Sequence, residues 1–91
     1  MDDNTALLKV RASSDATRLA SAISHALYDG KEVSLRSIGA GAVNQSVKAL
    51  AIAQSYVGSK GLSLTCRPGF TSVTMDDGET VTAILFKVYS Q

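Results

Sequence analysis

The chain is poor in the residue types that most often carry chemistry. Its 91 residues include no tryptophan, one cysteine, one histidine and one proline, and aromatic residues make up 5%. Cys66 has no partner for an intrachain disulfide, which fits a reducing compartment, and its place in an alternating apolar run predicts a small core residue. His25 has no second histidine, thiol or carboxylate at metal-ligand spacing. These absences predict that the protein is not an enzyme, holds no metal and needs no cofactor.

Long apolar runs are absent as well. No stretch approaches the ~18 apolar residues that a membrane-spanning helix needs, and the first four residues are acidic rather than basic. We therefore expect a cytoplasmic protein without a membrane partner.

Acidic residues are missing from the middle of the chain. No Asp or Glu occurs from Val33 to Arg67, although the net charge of the whole chain is only +1. The acids gather near the N-terminus and at Asp76, Asp77 and Glu79. The middle is thus basic and one later loop is acidic, which indicates either an anionic partner or an ordinary solvated surface.

What is present is the composition of a small globular domain. The apolar fraction is 45% and the charged fraction 19%, so we expect one domain over 1–91, with a flexible N-terminus at 1–5. A chain this short retains only about 5–10 kcal/mol of net stability. Burial of apolar surface against a second copy is therefore expected to supplement it.

Hydrophobic periodicity predicts the element order β-α-β-α-β-β. Strands are predicted at 6–12, 33–38, 62–67 and 80–89, and a second helix at 42–57. The first helix is expected to follow a cap at Ser13 or Ser14, with Asp15 in its first turn. The third strand is predicted to end at Pro68 and Gly69, and 69–79 to form an extended arm or hairpin loop.

This order predicts an α/β fold of the α+β two-layer type. Right-handed crossovers place both helices on one face of a mixed four-stranded sheet. The second helix is apolar over more than one side, which predicts burial on two sides. The last strand is apolar on both faces, as in a central strand or one that meets a partner.

Gly39, Ala40 and Gly41 form a glycine turn between the second strand and the second helix. The turn matches a dinucleotide-binding motif only in part, because Asn44 stands at the third glycine position. Two interpretations stay open. The glycines bring the backbone close to a phosphate, or they permit a tight turn packed on a neighbouring helix.

Three segments resemble the stage V sporulation protein S family. They are 8–14 (LKVRASS), 37–53 (SIGAGAVNQSVKALAIA) and 67–70 (RPGF), and the likeness covers nearly the whole chain. That family in turn resembles the archaeal chromatin protein Alba, a β-α-β-α-β-β fold that forms dimers and binds DNA or RNA. The resemblance implies self-association through the second helix and last strand, as a homodimer or tetramer.

In Alba-like proteins the nucleic-acid contacts come from the loop after strand one, the loop before helix two and the hairpin arm. Carried onto this chain, these places and the nearby basic residues give the candidate nucleic-acid-binding set Arg11, Ser13, Ser14, Arg18, Arg36, Gly39, Gly41, Asn44, Gln45, Lys48, Lys60 and Arg67. This chain has serines where Alba has a lysine pair, glycines where Alba has arginines, and an acidic arm.

Three functions follow as hypotheses. The first is a homo-oligomeric regulator that contacts the phosphate backbone of DNA or RNA without catalysis. The second is a protein-interaction or assembly module in developmental or cell-cycle regulation, without direct nucleic-acid contact. The third, a nucleotide or other small ligand at the glycine turn, has the least support, and no small-molecule substrate is expected.

Overall fold

The structure is a computed structural model, and it describes residues 4–91. The periodic segments form six elements in the predicted order: β1 (Thr5–Val10), α1 (Ala16–Tyr28), β2 (Glu32–Ser37), α2 (Ala40–Gly58), β3 (Leu64–Thr74) and β4 (Thr80–Ser90). β1 begins within 1–5, where we expected a flexible N-terminus; of that segment, residues 1–3 lie outside the described residues. No helix in the described part of the chain is long and apolar enough to cross a membrane.

The four strands form one mixed sheet in the order β1-β2-β4-β3. β1 and β2 are parallel, and β4 pairs antiparallel with both β2 and β3. The two helices pack together, α1 against β2 and α2 against β1 and β2, and they share one core with the sheet. The predicted two-layer α+β architecture, consistent with the Alba-like fold, is therefore confirmed.

The core lies between the helices and the alternate residues of the sheet that face them. Val33 and Leu35 of β2 are buried, as is Ile23 of α1. The helices contribute mainly alanines to this core, including Ala20 and Ala49, both with no exposed surface. Small side chains let the helices approach the sheet and each other closely.

Helix α1 starts differently from the prediction. Its N-cap is Asp15, whose carboxylate accepts hydrogen bonds from the backbone N–H groups of Thr17 and Arg18 at 2.9 and 3.1 Å. Ser14 does not cap the helix because its hydroxyl already accepts a hydrogen bond from the Arg11 backbone N–H at 2.9 Å. The predicted cap at Ser13 or Ser14 was therefore wrong by one or two positions.

The third strand does not end at Pro68. β3 continues through Pro68 and Gly69 to Thr74, and the turn at Asp77 and Gly78 then leads into β4. Pro68 is tolerated because β3 is an edge strand, where a missing N–H need not break a ladder on both sides. β4 lies between β2 and β3, which confirms the expected central strand.

The β3-β4 hairpin extends beyond the rest of the sheet. The pairing of β4 with β2 ends at Ile84, opposite Ser37, whereas its pairing with β3 continues to Thr80. Residues 71–83 therefore form a two-stranded arm, named the arm below. The expectation of an extended hairpin is confirmed, with most of the arm in regular strands.

Candidate functional site

The ends of the two parallel strands bring two connections together at one end of the domain. Residues 11–15 follow β1 and residues 38–45 follow β2, and together they are named the loop edge. The Gln45 side-chain amide donates to the Ser14 backbone carbonyl at 2.8 Å. A Cβ built on Gly41 would lie 2.7 Å from the Cβ of Ala12, which is too close for any side chain. At Gly41 the glycine therefore permits close packing, as the second interpretation expected, but the neighbour is Ala12 of the connection after β1 and not a helix.

Gly39 has a different role at the loop edge. It is the N-cap of α2 with φ of 90°, a conformation that favours glycine, and it has no side chain to cap the helix. The first turn of α2 contains no acidic residue. The first N–H groups of a 19-residue helix therefore point out of the loop edge with the positive end of the helix dipole.

A buried hydrogen bond fixes α2 above β2. The hydroxyl groups of Ser37 and Ser46 lie 2.6 Å apart, and neither residue has exposed surface. Because one hydroxyl donates to the other, both polar groups are satisfied inside the core. The pair holds the beginning of α2, and with it the loop edge, in a fixed position.

Beside the loop edge, three cations line a groove beneath the arm. Lys9, Arg11 and Arg36 come from the ends of β1 and β2, and Asp76 and Asp77 of the arm line the same groove. The groove has a volume of about 570 Å³. Its floor is positive and one wall is negative, so an anion that enters it meets attraction from the sheet and repulsion from the arm.

The structure assembles most, but not all, of the predicted site residues. Those at or next to the loop edge are Arg11, Ser13, Ser14, Arg18 in the first turn of α1, Arg36, Gly39, Gly41, Asn44 and Gln45. Lys48 is exposed farther along α2, in the helical layer rather than the sheet. Lys60 lies at the opposite end, with its ammonium group 4.9 Å from the centre of the Tyr28 ring. Arg67 lies on β3, away from the loop edge.

Sequence reasoning missed two basic residues, Lys9 and Lys87. Lys9 is paired with Arg36, and Lys87 with Arg67, so all four share the sheet face that the helices leave uncovered. This face is named the open face. Lys87 was overlooked because it interrupts a strand that is otherwise apolar on both sides. The spacing could have placed it, because Lys87 follows Leu85 by two residues and alternate residues of a strand face the same side of the sheet.

On the helix side, the sheet is only half covered. Neither helix packs extensively on β3, so the helix-facing side of that strand meets solvent. Apolar residues on this side form a strip, named the apolar strip. Its exposed members are Cys66, Pro68 and Phe70 on β3 and Val47 and Ala51 on α2, and its half-buried members are Leu64 on β3 and Leu50 on α2. Phe70 is 82% exposed and Val47 is 52% exposed.

The apolar strip corrects two expectations. Cys66 is exposed, not a core residue, because it faces the helix side of an edge strand that no helix covers. Helix α2 is not buried on two sides within the chain, since Val47 and Ala51 are exposed. In both cases the sequence pattern correctly predicted an apolar surface, but it did not predict whether the chain itself covers that surface.

Comparison with known protein families decides the relationship. The family model described as Stage V sporulation protein S (SpoVS) matches residues 6–91. The chain belongs to this family. The match runs through the loop edge, the arm and the apolar strip, and it confirms the resemblance drawn from the three sequence segments.

SpoVS membership supports a regulatory role in sporulation and does not connect the chain to a known enzyme family. Among residues 4–91, no group of three His, Cys, Asp or Glu side chains is placed to hold a metal ion. His25 is exposed on α1, and Cys66 is exposed on β3, in the apolar strip.

Proposed function

We propose that this SpoVS-family protein is a cytoplasmic regulator that binds DNA or RNA as a homo-oligomer, without catalysis. The binding surface is the loop edge together with Lys9 and Arg36. The observation that carries the proposal is the convergence of Lys9, Arg11 and Arg36 in one groove, at the end of the sheet where β2 leads into the uncapped start of α2. Free helix N–H groups and cations are the groups that bind phosphate oxygens.

The contacts that this surface offers are contacts to phosphate, not to bases. The loop edge carries small and polar residues, Ser13, Asn44 and Gln45, and no aromatic side chain. Binding through cations and backbone amides orients a nucleic acid without reading its sequence. We therefore expect low sequence specificity and a strong dependence of affinity on salt.

Self-association through the apolar strip is the second part of the proposal. An exposed phenylalanine next to exposed aliphatic side chains is the kind of surface that a small domain covers with a second copy. A dimer doubles the number of cations that face one nucleic acid. It also brings two loop edges onto a single particle, which raises affinity through multivalency.

The test is a salt series of duplex DNA and RNA binding, followed by fluorescence anisotropy. With three cations per protomer, a dimer releases about six counterions, so the slope of log K against log salt is about −5. Affinity then falls about a thousandfold between roughly 50 and 200 mM salt. A flat titration at low salt would contradict the proposal.

Two double variants with the same loss of charge distinguish an effect of the loop edge from an effect of net charge. In Arg11→Gln, Arg36→Gln, four of the six cations of the dimer are gone, and the slope is expected to flatten by about 3.6. The matched control is Lys31→Gln, Lys60→Gln, which removes the same charge at the opposite end of the domain and is expected to leave the slope unchanged. Equal slopes for the two double variants would exclude the loop edge as the binding surface.

The apolar strip also supports the second hypothesis, an assembly module that binds another protein. The exposed ring of Phe70 is as suitable a contact for a different protein as for a second copy of this chain. Light scattering of the purified chain distinguishes the two cases. A monomer that binds no nucleic acid, and whose mass does not rise with concentration, would favour the assembly module.

A further inference from the structure

The open face carries one basic residue from every strand of the sheet. They are Lys9 on β1, Arg36 on β2, Lys87 on β4 and Arg67 on β3. We infer that this face binds single-stranded nucleic acid, as a second surface beside the loop edge. The inference rests on the proposed function for the class of ligand; the two surfaces share Lys9 and Arg36, and the inference adds Arg67 and Lys87.

The pairing of the strands gives the first argument. Lys9 lies directly opposite Arg36, and Lys87 directly opposite Arg67. Like charges at directly opposed positions of a sheet destabilise it. None of the four cations forms an ion pair with the residues that the structure describes. Two such pairs on one face are unfavourable for the free protein and become favourable when a polyanion lies across them.

The distribution of acids gives the second argument. Among residues 4–91, the strands place one acidic residue on the open face, Glu32, which lies opposite Thr5 at the end of β1 remote from the loop edge. The arm places Asp76 and Asp77 beside Lys9 and Arg36, but not beside Arg67 and Lys87. The acidic residues therefore lie nearer the half of the open face formed by β1 and β2, and an anion meets less repulsion at Arg67 and Lys87.

The shape of the face favours a single strand over a duplex. Thr71 and Ser72 of the arm overhang the face and close a cleft of about 340 Å³. Its lining includes Arg36, Lys87 and the apolar side chain of Leu85, with Glu32 as its acidic residue. A concave cleft of this size admits one flexible strand, whereas a duplex presents its phosphates on a rigid convex surface.

An aromatic ring beside the basic residues favours nucleic acid over an acidic peptide. Tyr89 is 38% exposed, and the guanidinium of Arg67 lies 5.6 Å from the centre of its ring. Leu7, on the same face, is 49% exposed. An acidic peptide needs only the cations, whereas single strands use cations for the backbone and aromatic faces for stacked bases.

The test compares Arg67→Gln, Lys87→Gln with the charge-matched control Lys31→Gln, Lys60→Gln. The probes are oligothymidylate and oligouridylate of about 15 nucleotides, and a duplex of the same length. Two lost phosphate contacts lower the single-strand salt slope by about 1.4 per protomer and the affinity by about 10- to 30-fold near 0.1 M salt. Duplex affinity is expected to change no more than in the control.

Two further measurements test the roles of the opposed charges and of Tyr89 in single-strand binding. Removal of the opposed charges is expected to raise the melting temperature of the free Arg67→Gln, Lys87→Gln variant, while oligothymidylate raises that of the wild type more than that of the variant. Tyr89→Ala is expected to weaken single-strand binding without changing the salt slope, because it removes stacking but no charge.

Four results would overturn the inference. One is single-strand binding of the Arg67, Lys87 variant equal to that of the control. A second is tighter binding of poly-glutamate than of oligothymidylate, which would identify an acidic protein as the ligand. A third is an equal loss of duplex and single-strand affinity. The fourth is the absence of single-strand binding by the wild type. Since duplex binding is measured separately, the loop edge proposal stands or falls on its own result.

Discussion

β2 and β3 are strands of the same sheet, yet β2 is covered by the rest of the chain and β3 is largely exposed. In β2, Val33, Leu35 and Ser37 alternate as buried residues beneath two helices. In β3, eleven residues long, only Val73 is buried. The first half of the chain folds around itself. β3 keeps most of its surface exposed. The apolar strip and the β3-β4 part of the open face both use the hairpin, whereas the loop edge belongs to the first half.

The largest expected effect is the loss of a side chain from the first half. Leu35→Ala is expected to lower the free energy of unfolding by about 2–5 kcal/mol, because Leu35 has no exposed surface and the substitution leaves a cavity. Leu64→Ala in β3 removes the same atoms from a half-buried position and is expected to cost about 1 kcal/mol. Urea denaturation measures both changes in the free energy of unfolding. Equal decreases for the two variants would contradict the difference in burial between the two halves.

Backbone crowding gives the second test. Gly41→Ala is expected to cost about 1–3 kcal/mol, since its methyl group would meet Ala12 at 2.7 Å and push the two connections of the loop edge apart. Gly69→Ala in β3 is the control, because a methyl group there meets nothing within 4 Å. Thermal unfolding followed by circular dichroism compares them. A Gly41 variant as stable as the Gly69 variant would show that the close approach is unimportant.

The buried serine pair gives a smaller effect. Ser46→Ala leaves the Ser37 hydroxyl buried without its partner and is expected to cost about 1–2 kcal/mol. Ser37→Ala, Ser46→Ala removes both groups and is expected to cost less than the sum of the two single substitutions. Additive losses in a double-mutant cycle would contradict a direct hydrogen bond. Ser72→Ala, on the exposed arm, is expected to be neutral.

The smallest effect on folding is expected at the most exposed apolar residue. Phe70→Ser is expected to change the free energy of unfolding of the dilute protein by less than about 0.5 kcal/mol. Analytical ultracentrifugation is expected to show weaker self-association. The melting temperature of the wild type, but not of the variant, is expected to rise with protein concentration. Unchanged self-association would remove Phe70 from the interface.

Local patterns predicted the elements of the fold well. The alternation of Val33 and Leu35 with Ser34 and Arg36 was enough to place β2 and its buried side. The two-sided apolarity of β4 correctly marked a central strand. These predictions succeeded because strand and helix periods are properties of a few consecutive residues.

The errors occurred where a residue's role depends on distant neighbours. Pro68 is a normal strand breaker, but on an edge strand it is tolerated. Cys66 has the pattern of a core residue, but no helix covers its strand. Of the candidate site, the loop edge was predicted from glycines and family resemblance, whereas Lys9 and Lys87 were missed because their neighbours on the open face come from other strands.

Short-range periodicity and contiguous motifs were sufficient to predict the six elements, their order and the family. The strand at the edge of the sheet, the apolar surface that stays uncovered and the cations that stand opposite one another could be read only from the folded chain. All three depend on strand register. Pairing brings side chains from β1, β2, β4 and β3 within one sheet spacing of each other, although they are far apart along the chain.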